Sequence, residues 1–123
     1  MEAESEIFFG KCENLFWGNV PDDLIILSYL LTPTEKAWEW HDYVQKEIRK
    51  LGYETRREVF VYIGNGKTGR LDLVAKKDGI EIAIELDYRV PRKKSVLKIK
   101  TYKIGMVLLR DPKIIKKIRI KKG

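Results

Sequence analysis

The chain has one cysteine, one histidine and no run of 18 apolar residues in its 123 positions. A lone Cys12 cannot close an intramolecular disulfide or build a thiolate metal cage, so it reads as a small buried apolar side chain. With His41 alone, a multi-histidine zinc centre is excluded. Without a long apolar run there is nothing to span a membrane as a helix. The first ten residues, MEAESEIFFG, are acidic and have no extended apolar stretch, so no secretory signal is expected and the expected location is the cytoplasm. Amides are scarce too. One glutamine and three asparagines beside 35% charged residues fit the composition of a hyperthermophile.

What is present begins with apolar content. A 44% hydrophobic share with 11% aromatics gives enough surface to offset conformational entropy, which excludes a disordered chain, and the length suits a single domain. Charge is unevenly spread. Residues 1–87 hold 11 Lys and Arg against 17 Asp and Glu, whereas 88–123 hold 14 against Asp111 alone, so the last third carries +13 of a chain whose net charge is +7. A basic third of this density points to a polyanion, with nucleic acid foremost. A solvated lysine-rich face and an acidic protein partner are the other readings. A membrane surface fits less well, because the basic residues are not laid over one apolar helical face.

Along the chain, 22–31 is a short apolar element that the pattern does not type. Thr32, Pro33 and Glu35 match a capping box with proline at the first helical position, and Ala37, His41, Val44, Ile48 and Leu51 recur at helical spacing before Gly52. These predict a helix over 33–51. The period then changes to two. Strands are predicted over 54–63, 70–76 and 80–87, with turns at 64–69 and at Asp78-Gly79, a strong hairpin dipeptide. A basic helix over 93–103, a buried strand over 105–110 and an edge strand around 118–121 complete the pattern. The run GNGKT at 64–68 resembles a phosphate loop only in part: Val61 stands where that loop needs glycine, and a strand follows instead of a helix. It reads as a hairpin turn.

A two-residue turn at Asp78-Gly79 fixes the register of the second hairpin. Leu71 should face Leu86, Leu73 Ile84 and Ala75 Ile82 on an apolar side. On the other side Lys76 should face Glu81, Val74 Ala83, Asp72 Glu85 and Arg70 Asp87. A slip of one residue would mix polar and apolar on both sides. Asp72 and Glu85 thereby become cross-strand neighbours with Cβ atoms roughly 4.5 to 5.5 Å apart. Two such carboxylates repel unless one is protonated, basic groups surround them or a cation bridges them. Mg²⁺ or Mn²⁺ suits hard oxygen donors and carries waters that attack phosphodiesters. The competing reading is an exposed charge ladder neutralised by Lys76 with Glu81 and Arg70 with Asp87.

The helix ending at Gly52, Glu58 in the first strand, GRLDLVAK with Asp72, IAIELD with Glu85, and the basic helix and buried strand after them resemble the PD-(D/E)xK nuclease superfamily. That is the restriction-endonuclease-like fold that includes archaeal Holliday-junction resolvases, and the resemblance covers 33–110. It implies an α/β domain with an αβββαβ core, its mixed central sheet flanked by helices. An N-terminal extension at 1–31 and a basic tail at 111–123 would flank a core at 32–110. It implies further that Asp72 and Glu85 bind magnesium and that the protein is an endonuclease hydrolysing DNA, duplex or branched. A catalytically inactive DNA-binding module that keeps this fold is the alternative.

One departure stands out. The lysine that the resemblance puts two residues after the glutamate is Asp87 here. Within the superfamily that lysine can move to the following helix, where Lys94 and Lys98 lie four apart on one face, and Lys98 is the preferred candidate. Asp87 is either a further metal ligand or a salt-bridge partner of Arg70. An additional acid is sought in Glu47 or Glu58. His41 reads as a packed, hydrogen-bonded histidine, and Trp38, Trp40 and Tyr43 as core or interface. Arg70, Arg92, Lys93, Lys94 and Lys98 are the candidate phosphate contacts. The apolar N-terminal segment is a candidate homodimer contact.

Overall fold

Two glycine-containing turns set the sheet. Asn65-Gly66 has φ of 53° and 72°, and Asp78-Gly79 has 52° and 78°, so both pairs adopt the left-handed conformations of type I′ hairpin turns. A computed structural model describes residues 13–111. Within them the first turn joins β2 (Glu54–Gly64) to β3 (Lys67–Lys77), and the second joins β3 to β4 (Ile80–Asp87). The 64–69 turn is therefore shorter than expected, with Tyr62 pairing Thr68 and Val61 pairing Gly69 on either side of it. Upstream lie β1 (Leu15–Trp17), α1 (Asp22–Leu30) and α2 (Ala37–Lys50); downstream lie α3 (Lys93–Ile99) and β5 (Gly105–Leu109). Cys12, the apolar segment before it and the expected strand around 118–121 lie outside the described residues.

The five strands form one mixed sheet in the order β1-β5-β4-β3-β2, with β4 and β5 parallel and the other pairs antiparallel. The expected run of helix, three strands, helix and strand is present from α2 to β5. β1 and α1, which the sequence places in an extension, belong to the body: β1 pairs with β5, and Leu24 is buried in the main core.

One side of the sheet packs Trp40, Val44 and Ile48 of α2 against Leu73, Ile82, Ile84 and Leu86. The opposite side packs Val96 and Ile99 of α3 against Leu71, Val74, Ala83 and Val107. Truncating a wholly buried residue such as Ile48 to alanine costs about 2–5 kcal/mol.

α2 starts later than expected. The Arg110 guanidinium takes the carbonyls of Thr34 and Glu35, at 3.2 and 2.6 Å, which a helix begun at Pro33 would use for its own bonds. The capping acid is accordingly Glu39, whose Oε1 accepts the Lys36 N–H at 3.0 Å, in place of Glu35. α3 is shorter than the expected 93–103. It ends at Ile99, and the chain returns so that Gly105 passes close enough for a Cβ there to lie 2.8 Å from Ile99 Cβ.

The β3–β4 register agrees with the expected one from Leu73↔Ile84 to Lys77↔Ile80. It stops at Asp72. Opposite it on β2, Glu58 has a φ of 54° and likewise drops out of the ladder, although the pairing resumes in the same register at Val59↔Leu71. With one residue lost on each strand, the count is kept but the facing reverses. Thr55 and Arg57 bond to side chains of α2, whereas Val59 and Ile63 pack on the α3 side. Leu71 follows them, so the expected Leu71–Leu86 pair on one apolar side does not form.

Candidate functional site

Where β3 and β4 stop pairing, each strand's acid bonds to the other strand's backbone. Glu85 Oε2 accepts the Asp72 N–H at 2.8 Å, and Asp72 Oδ2 accepts the Leu86 N–H at 2.8 Å. These bonds satisfy donors that the ladder would otherwise have used. They also hold the two carboxylates side by side. Glu85 is wholly buried on the α3 side of the sheet, and Asp72 is half-buried.

Lys98 completes the group. It reaches from α3 over β3 to place Nζ 2.8 Å from Glu85 Oε1 and 3.0 Å from the Arg70 carbonyl oxygen. Its stem crosses at Gly69, where a Cβ would lie 3.0 Å from Lys98 Cδ and 3.3 Å from Cγ. The contact with Glu85 is ionic, because Oε1 receives no directed hydrogen bond. Burial first, and the charge of Asp72 second, push the Glu85 carboxyl above its ordinary range, while Lys98 and the Asp72 N–H pull it back.

Each carboxylate thus spends one oxygen on backbone. The other, Asp72 Oδ1 or Glu85 Oε1, has no hydrogen bond among the described residues. Two hard oxygens on adjacent strands, one of them buried beside an ammonium, are of the donor type a divalent cation such as magnesium accepts, which takes one or two carboxylates and fills its remaining positions with water and phosphate oxygens. No group of three or more His, Cys, Asp and Glu side chains converges among the described residues.

The remaining candidates divide. Asp87 is buried, and its Oδ1 accepts Arg92 Nε and Ser95 Oγ, both at 3.0 Å, while Oδ2 accepts the Arg92 N–H at 2.9 Å. Its two oxygens are committed to the start of α3. The expected pairing of Asp87 with Arg70 is replaced by Arg70 with Glu58, at 3.1 Å, because the reversal at Glu58 brings that side chain beside Arg70. Glu58 therefore stands next to the site, exposed and paired. Glu47 bonds Lys50 at 2.9 Å on α2, on the other side of the sheet from Lys98. Lys94 is exposed and makes no ion pair among the described residues. Arg92 and Lys93 are exposed at the start of α3. His41 is half-buried on α2, Trp40 is core, Tyr43 packs against it, and Trp38 is exposed.

Two participants escaped the sequence reading. Ser95 is wholly buried and fixes Asp87; its position three residues after Arg92, in a first helical turn, was the available signal. Gly69 has no turn to make and lies inside β3, which marks a close approach. Comparison with protein-family models, curated proteins and solved structures finds no match to this chain.

Proposed function

We propose that this chain is a metal-dependent endonuclease that hydrolyses DNA phosphodiester bonds at Asp72, Glu85 and Lys98, on a restriction-endonuclease-like core. The observation that carries the reading is the meeting of two carboxylates from adjacent strands with a buried lysine 2.8 Å from one of them, each acid keeping one oxygen without a hydrogen bond among the described residues. The element order from α2 to β5 and the parallel β4–β5 pair agree with such a core. Asp72 Oδ1 and Glu85 Oε1 would hold Mg²⁺ or Mn²⁺, which when bound supplies an activated water and neutralises charge on the phosphoryl group.

The protein's own part is positional and electrostatic. Lys98 has three donors; the Arg70 carbonyl takes one, and the ion pair with Glu85 leaves the ammonium able to donate to a phosphoryl oxygen whose charge grows in the transition state. It thereby fills the role of the lysine that Asp87 displaces. Asp87, held by Arg92 and Ser95, anchors α3 and so fixes where Lys98 enters. Arg92, Lys93 and Lys94 at the start of the same helix contribute contacts to the phosphate backbone, which set position without reading sequence.

The test is cleavage of labelled duplex, branched and single-stranded DNA at raised temperature with Mg²⁺, Mn²⁺ or EDTA. Cutting that needs the metal and is lost in Asp72→Ala and Glu85→Ala supports the reading. Binding of DNA with no cutting under any of these conditions replaces it with the binding module.

A further inference from the structure

On the hairpin that carries Asp72, two large aromatic rings face solvent. Phe60 is 72% exposed and Tyr62 63% exposed, although they alternate with Val59, Val61 and Ile63, which pack on the α3 side. The reversal at Glu58 produces this arrangement. It turns the apolar alternate residues inward and leaves the rings outward, on the stretch of β2 and β3 between the reversal and the Asn65-Gly66 turn.

The patch is ordered and charged. Phe60 pairs with Arg70 across the strands, and the Arg70 guanidinium lies over the Phe60 ring, 5.3 Å from its centroid. Tyr62 is fixed by accepting the Gly66 N–H at 3.0 Å through its hydroxyl. Lys67 is exposed beside the turn. The rings lie on the face of the hairpin opposite Lys98 and Glu85, and only the backbone of β3 joins the two: the Arg70 carbonyl receives Lys98, and Arg70 is two residues from Asp72.

We infer that Phe60 and Tyr62, with Arg70, form a stacking platform for unpaired bases, so that the substrate is a nucleic acid presenting a single-stranded segment to the face of the β2–β3 hairpin opposite Lys98. The inference rests on the nuclease reading and narrows it. A ring facing solvent gains nothing from a regular duplex, whose bases offer only their edges, whereas an unpaired base offers its π-face. Residues two apart on one face of a strand are about 7 Å apart, twice the rise of stacked bases, so the two rings take bases separated from each other. Arginine and lysine at the rings supply the cations that a phosphate chain requires. A second copy docking on the β2 edge is the competing occupant, and ring-bearing side chains under a guanidinium favour the nucleic acid.

The experiment measures the affinity of the whole chain for a labelled oligothymidylate and for a duplex of the same length, in EDTA so that nothing is cut. It compares the native protein with the double variant Phe60→Leu, Tyr62→Leu, which keeps apolar area and removes the rings. Both positions are exposed, and matched melting temperatures confirm the fold. The expected result is a loss of at least about tenfold for the single strand with a change under about twofold for the duplex. Equal losses, or none, overturn the inference, as does a native dimer that the double variant dissociates. Cleavage in Mg²⁺ separates the two readings. A ring-dependent single-strand preference without cutting removes the nuclease and leaves the platform; cutting of single strands that is indifferent to the rings removes the platform and leaves the nuclease.

Discussion

Lys98 reaches Glu85 by crossing Gly69: the ammonium sits 2.8 Å from Glu85 Oε1, and the lysine stem occupies the space where a side chain on residue 69 would begin. A lysine from a helix thus arrives beside two acids on strands, and a missing Cβ is what admits it.

Gly69→Val should displace Lys98 while leaving Asp72 and Glu85 in place. The expected outcome is a fall of about 10²-fold in metal-dependent cleavage, the order that a misplacement of about 1 Å commonly costs. Manganese affinity should be retained. Steady-state kinetics beside a metal titration checks both.

Lys98→Met leaves a buried carboxylate without its cation, which costs about 3–5 kcal/mol when one partner of a buried pair is removed. Lys94→Ala, at an exposed position, should change stability by no more than about 0.5 kcal/mol. Denaturant melts of the two variants, read together, distinguish the lysine at the site from the one on the surface.

Asp72→Asn keeps an acceptor for the Leu86 N–H and removes the charge that bears on Glu85. Without metal its melting temperature should equal or exceed that of the native chain. The stabilisation that Mg²⁺ gives the native chain should be absent, because ligand linkage requires the site. Thermal melts with and without Mg²⁺ decide it.

Glu85 also predicts a pH dependence. Its folded pKa lies above the unfolded one, so the folded state binds the proton more tightly. The contribution of this group is therefore largest below the unfolded pKa and declines as pH rises through the folded one. In EDTA, the stability of the native chain relative to Glu85→Gln should fall over that window and then level off. Paired melts across the acid range measure the difference directly; a difference that rises with pH contradicts the shift.

The sequence made the second hairpin legible because Asp78-Gly79 permits one short turn, and polarity on β3 and β4 then allows one register, seen in Leu73↔Ile84 and Ala75↔Ile82. The placement of Asp72 beside Glu85 followed from that register. What the sequence hid is the reversal at Glu58. Val59, Val61 and Leu71 are apolar and suit either side of the sheet, so nothing in their identity marks the change of facing that sends Leu71 away from Leu86 and Arg70 away from Asp87. The start of α2 depended on Arg110, 75 residues after Glu35, a contact that no local cap can reveal. α1 could not be typed because Leu24, Ile25, Ile26 and Leu27 are consecutive apolar residues without a helical stripe.

In the proposed mechanism Asp72 and Glu85 share one divalent cation beside Lys98. Calorimetric titration of Mn²⁺ into the native chain, Asp72→Asn and Glu85→Gln tests it most directly. One ion per native chain, with binding lost in both variants while their folds persist, is the expected result. No binding to the native chain, or binding that survives both substitutions, contradicts it.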